Sequence, residues 1–193
     1  MRDPELVFAV VRPVGTPGDD FHRALAGGLL SYGYTTKLIK LSDILADMIV
    51  EESGSLLDGP ENERIERLMN EGNELCSQNA SAAAVALQGV AEVNRLRLKL
   101  SSLTNGGPSE SEQSPARAVY VIDSLKRKAE VTTLRHIYGD RLFLVALQSL
   151  AQTRRAKLMA KIMPQSTSND LWSLGSSHLC QVLTLLGRRA RVA

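Results

Sequence analysis

Four short apolar runs, separated by segments with helical periodicity, constrain this chain more than any other feature. They lie at 6–11 (LVFAVV), 35–41 (TTKLIKL), 118–123 (AVYVID) and 142–147 (LFLVAL). Each is too short for a buried helix, and each is followed by a polar or charged residue. Runs of this kind read as strands buried on both faces. Between them, Phe21, Leu25, Leu29 and Leu30 recur at helical spacing after Asp19 and Asp20, with Gly33 as a stop. Ser42 or Asp43 is placed to cap a helix that runs to about Val50. From Asn62 to Leu103 apolar stripes (Ile65, Leu68, Met69, Leu75, Ala82–Leu87, Val90, Val93, Leu96) predict two helices, with Gly72 and the stretch Ser77–Ser81 as candidate breaks. Lys126–Tyr138 is amphipathic through Val131, Leu134 and Ile137, and Arg154–Met163 forms a basic helix. Strands alternating with helices predict an α/β fold: three layers, α/β/α, around a mainly parallel sheet of four to five strands, of the P-loop nucleoside-triphosphatase or kinase type.

At 193 residues, 44% apolar and 23% charged, the chain has the composition of a single globular domain, here expected over residues 1–163. Ser101–Ala116 (SSLTNGGPSESEQSPA) reads as a mobile surface loop, and 164–193 as a divergent basic tail with at most one short helix at His178–Leu186. No apolar run reaches the ~18 residues of a membrane span. The start MRDPELVFAV lacks the features of a secretory signal. Cys76 and Cys180 form no disulfide framework, so a cytoplasmic protein with reduced thiols is expected. A net charge of +2 and 4% aromatics do not point to nucleic acid. Charge is nevertheless concentrated at the end: Arg154, Arg155, Lys157, Lys161, Arg188, Arg189 and Arg191 face one acid, Asp170.

In a parallel sheet, ligands bind at the carboxyl edge of the strands. That rule places Arg12–Asp19, Asp123 and the segment after Leu147 on one rim. The first strand-to-helix turn is where backbone N–H groups and a helix N-terminus hold phosphate. Against the pattern Gly-x-x-x-x-Gly-Lys-Ser/Thr, the chain reads Arg12-Pro13-Val14-Gly15-Thr16-Pro17-Gly18-Asp19. The turn is recognisable, but Arg12 and Pro17 replace the glycines, Gly18 the lysine and Asp19 the hydroxyl residue. Candidate nucleotide-binding residues are therefore Arg12, Val14, Gly15, Thr16, Gly18 and Asp19; the other reading is a tight turn. Asp123 stands either where an acid would hold magnesium through water or where it would cap the next helix. Arg154 and Arg155 either close over phosphates as a lid or lie on a solvated helix face. His22, His136 and His178 share no metal spacing, and with no His-x-Glu and no Pro-Cys-x-x-Cys the chain cannot assemble a zinc deaminase centre.

Several stretches together resemble the amino-terminal region of bacterial anti-phage dCTP deaminases: LVFAVVRPVGT (6–16), YTTKLIKLSDIL (34–45), RIERLMNEGNEL (64–75) and YVIDSLKRKAEVTTLRHIYG (120–139), followed by RLFLV (141–145). The resemblance covers about residues 5–160. That family joins a P-loop-kinase-like domain to a zinc deaminase domain of the deoxycytidylate deaminase type. The resemblance implies a role in antiviral defence, through conversion of dCTP or dCMP to dUTP or dUMP. It also implies a regulatory, nucleotide-sensing kinase-like half that binds ATP or a deoxynucleotide with magnesium. Family members usually carry Gly where this chain has Arg12, and the sequence stops following the family after about Lys161. No catalytic residue and no metal ligand is expected in this chain. The alternatives are a small nucleotide or deoxynucleoside monophosphate kinase, or a non-catalytic interaction module, with a homo-oligomer possible in any of these cases.

Overall fold

The computed structural model describes residues 5–54, 60–104 and 117–163. The expected tail at 164–193 and most of the expected loop, 105–116, lie outside these residues. The remainder of that loop is corrected: Ser101–Thr104 are the last turn of a helix. The elements follow the order β1 (Leu6–Val11), α1 (Asp19–Leu30), β2 (Thr35–Lys40), α2 (Leu41–Ser53), α3 (Glu61–Gln78), α4 (Ala84–Thr104), β3 (Ala118–Leu125), α5 (Lys128–Tyr138), β4 (Leu142–Ala146) and α6 (Ala151–Ile162). The chain is therefore α/β. Its described strands form one four-stranded, all-parallel sheet in the order β2-β3-β1-β4.

The alternation of side chains divides the core between two faces. On one face Val7, Ala9, Tyr120 and Ile122 pack beneath α2–α5, through Leu41, Leu45, Leu75, Val85, Val93 and Leu134. On the other, Val10, Val119 and Val121 meet Phe21, Leu25 and Leu29 of α1. Helices thus lie on both faces, consistent with three layers. The four apolar runs are not equivalent, as sequence alone suggests they are. β1 and β3 are central and buried, whereas β2 and β4 are edges and half-exposed.

The long helical stretch divides at Asn79–Ala83, within and just past the Ser77–Ser81 candidate. Gly72 is interior to α3, where it lets Leu45 pack within 3.4 Å of the position a Cβ would take. Neither Ser42 nor Asp43 caps α2, whose N-cap is Lys40 in extended conformation.

Candidate functional site

All strands being parallel, their carboxyl ends share one edge. There β1 leads into α1 on one face, while its neighbour β3 leads into α5 on the other. Adjacent strands whose connections leave to opposite faces open a crevice between them. The expected rim residues are brought together at this point. The Leu147 N–H donates to the Val11 carbonyl at 2.9 Å, and the Ser149 hydroxyl to Thr16 Oγ1 at 3.3 Å. The crevice continues as a cleft of about 500 Å³ between residues 12–19, the start of α2, α3 and α6.

Arg12 fills the floor of the turn. Its Nε and Nη2 donate to the two carboxylate oxygens of Asp123 at 2.8 and 2.7 Å, and Nη1 donates to the Thr16 carbonyl at 2.5 Å. The Asp123 side chain is fully buried and that of Arg12 is 22% exposed. Burial pushes the Asp123 carboxyl up, but the Arg12 hydrogen bonds and charge, with His22 and Lys126 behind them, outweigh it and hold it below the usual carboxylate range. The same hydrogen bonds raise Arg12. His22 Nε2 lies 3.6 Å from Asp123 Oδ2, and both ring nitrogens are buried without a hydrogen-bond partner.

Gly15 takes φ +83, and a Cβ there would stand 2.7 Å from the Arg154 carbonyl oxygen and 3.0 Å from Leu158 Cγ. Only glycine permits this conformation and this approach of α6. Thr16 is buried, and its N–H donates to the Pro13 carbonyl. Pro17 has no N–H to offer an anion. Gly18 is packed over His22 and Arg12, and no side chain caps α1. Val14 and Asp19 line the cleft, Asp19 in the first turn of α1.

Two expectations are revised. Asp123 does not cap a helix. β3 continues to Leu125, and α5 is capped at Arg127, with Glu130 accepting from the N–H groups of Lys126 and Arg127. Arg154 and Arg155 do not line the cleft; Lys157 and Lys161, one and two turns further along α6, do. Leu158, the buried residue of α6, fixes the phase of that helix against Gly15.

Sequence reasoning also missed Lys40, Arg64, Lys126 and Arg127 on the cleft wall. Arg64 pairs with Glu61, Arg127 donates to Asn73, and Lys126 Nζ donates to the Arg12 carbonyl at 2.6 Å. Lys40, Lys157 and Lys161 have no acid partner among the described residues. The cleft wall therefore carries more cations than acids, the acids being Asp19, Asp43, Glu61 and Glu130, and its apolar end is built by Leu45, Ile65, Leu68 and Met69.

Among the described residues no three His, Cys, Asp or Glu side chains gather as metal ligands. With both Asp123 oxygens already accepting from Arg12, a cation there would have to displace the guanidinium. The described site as it stands does not fit a protein-held magnesium. No helix of the described residues is long and apolar enough to cross a membrane.

Neither a family model nor a curated protein matches this chain.

Proposed function

We propose that this chain is a nucleotide-binding, regulatory kinase-like domain that acts with an anti-phage deoxycytidine nucleotide deaminase and transfers no phosphoryl group itself. The observation that carries the reading is the Arg12–Asp123 pair beneath a cationic cleft. A phosphoryl-transfer site needs a mobile cation on the transferring phosphate and a metal held by an acid. Here the lysine position is Gly18, and the acid is consumed by an internal ion pair. What remains suits binding: a crevice at the strand ends, Lys40, Lys157 and Lys161 on its wall without an acid partner among the described residues, and apolar side chains at one end. Phosphates would lie toward Lys157 and Lys161, and any magnesium would arrive on the nucleotide. The likeness of residues 5–160 to the amino-terminal half of the deaminase family supplies the biological setting.

The test is thermal unfolding of the purified chain with ribo- and deoxynucleotide mono- and triphosphates, with and without magnesium. At about 100 times its dissociation constant, a ligand that binds only the folded state stabilises by roughly 2.7 kcal/mol. In a domain of this size that raises Tm by about 5–10 °C. ATP turnover stays at the level of a protein-free control. A cooperative melt that no nucleotide shifts overturns the reading; turnover above the control replaces it with the kinase alternative.

A further inference from the structure

The two edges of the sheet are built differently. β2 carries Lys37 and Lys40 along a mainly polar strand, the usual protection against edge pairing. β4 (LFLVA) has no charge and no proline. Phe143 is 44% exposed on the α1 face, stacked on Phe8, and Leu144 is 43% exposed on the other. Ile137 of α5, which packs beside β4, is also exposed. Among the described residues β4 pairs only with β1.

The direction of its backbone groups follows from one hydrogen bond. The Leu147 N–H points at β1. In a strand these groups alternate sides. Phe143 and Val145 therefore also bond inward, and the C=O of Leu142 and the N–H and C=O of Leu144 and Ala146 point outward, while the Leu142 N–H donates to the Gly139 carbonyl. The positions 142, 144 and 146 are symmetric about Leu144.

We propose that β4 is a homodimer edge: two copies pair antiparallel through β4, about a two-fold axis at Leu144. That register opposes Leu144 to Leu144 and Leu142 to Ala146; with the Leu142 N–H held by Gly139, about four inter-chain bonds form, two between the Leu144 residues and one from each Ala146 N–H to the partner's Leu142 carbonyl. Phe143 then faces the partner's Val145 on the α1 side, an aromatic with a β-branched residue. The axis keeps like charges apart, because Asp140 and Arg141 of one copy lie against the partner's uncharged Leu147, Gln148 and Ser149. A second copy fits because the outward backbone and the apolar side chains both complement themselves under one operator, as an isologous interface requires. The contact is small, so the dimer is concentration-dependent.

The test is sedimentation and light scattering of the 193-residue chain from low-micromolar to near-millimolar concentration, with amide exchange along β4. The expected result is a mass that doubles with concentration, with protection of the Leu144 and Ala146 amides rising in step. Leu144→Pro removes an outward N–H and leaves the β1 ladder whole; it gives a monomer with unchanged circular dichroism. Phe143→Lys is the second variant if Leu144→Pro fails to fold, with the same expected loss of dimer. A monomer at every concentration overturns the proposal. So does protection of the outward amides that is independent of concentration, which would mean the chain covers its own edge. A dimer that survives in a folded variant places the interface elsewhere.

Discussion

Replacing Arg12 by Met keeps much of the aliphatic stem and removes the charge, which leaves the buried Asp123 without its ion-pair partner. Removing one partner of a buried ion pair costs about 3–5 kcal/mol, because the remaining charge loses its compensation. The Asp123 side chain is wholly buried but Arg12 is 22% exposed, so the lower end, about 3 kcal/mol, applies. That corresponds to a fall in Tm of about 6–12 °C at neutral pH. The pH dependence has a definite sign. In the wild type the carboxyl is depressed below its unfolded value of about 3.9, so its contribution is present above that pH and is lost as pH falls through the folded pKa. In Arg12→Met the burial that now opposes ionisation dominates and the folded pKa rises, so acid relieves the variant. Calorimetry at about pH 7.5 and about pH 5 therefore finds a smaller gap between wild type and variant at the lower pH. Adding Asp123→Asn removes the stranded charge, and the double variant is more stable than Arg12→Met alone at neutral pH. A loss under about 1 kcal/mol, or a gap that does not change with pH, would mean that water screens the pair and that the floor of the turn is not sealed.

The same geometry fixes three further outcomes. Lys157→Ala and Lys161→Ala each weaken nucleotide binding about tenfold in a fluorescence titration, the worth of one charged contact, whereas Arg154→Ala and Arg155→Ala change it less than about twofold. Gly15→Ala destabilises by about 2–3 kcal/mol in chemical denaturation, from its φ of +83 and the Arg154 carbonyl 2.7 Å from the new Cβ; Gly72→Ala, in a helix with its nearest neighbour at 3.4 Å, costs far less. Tyr120→Phe removes a buried hydroxyl with no hydrogen-bond partner, so its Tm stays level or rises, by up to about 1 kcal/mol of added stability.

Local patterns in the sequence carried the elements, and tertiary pairing decided the rest. The runs of β1 and β3 and the stripes of α1, α3 and α5 are visible because burial writes a period into the chain. Strand order writes none. LFLVAL looks as buried as LVFAVV, yet β4 is an edge. The Ser-rich start of 101–116 reads as loop, but four of its residues complete α4. The Arg12–Asp123 pair spans 111 positions and becomes readable only once β1 lies beside β3 with Val10 opposite Asp123. The choice of Lys157 and Lys161 over Arg154 and Arg155 depends on where the cleft meets α6. Leu158, an apolar residue within a basic helix, was the available signal for the phase of that helix.

The charges at the turn explain why this strand-to-helix turn is a poor phosphate site although the cleft beside it carries lysines without acid partners among the described residues. At an ordinary loop the helix N-terminus and a lysine are both left uncompensated until a phosphate arrives. Here Asp19 and Asp20 sit in the first turn of α1 and already answer its dipole. Arg12, the cation nearest the turn, is spent on Asp123. Each pole of the loop is thus satisfied from within, and a phosphate approaching it gains little and meets two carboxylates. The uncompensated charge of the rim lies instead at Lys40 at the end of β2 and at Lys157 and Lys161 on α6. An anionic ligand that enters this cleft is therefore drawn to the lysine wall and away from the turn. On the proposed reading, a nucleotide would therefore bind at the lysine wall without the chemistry that a kinase loop performs.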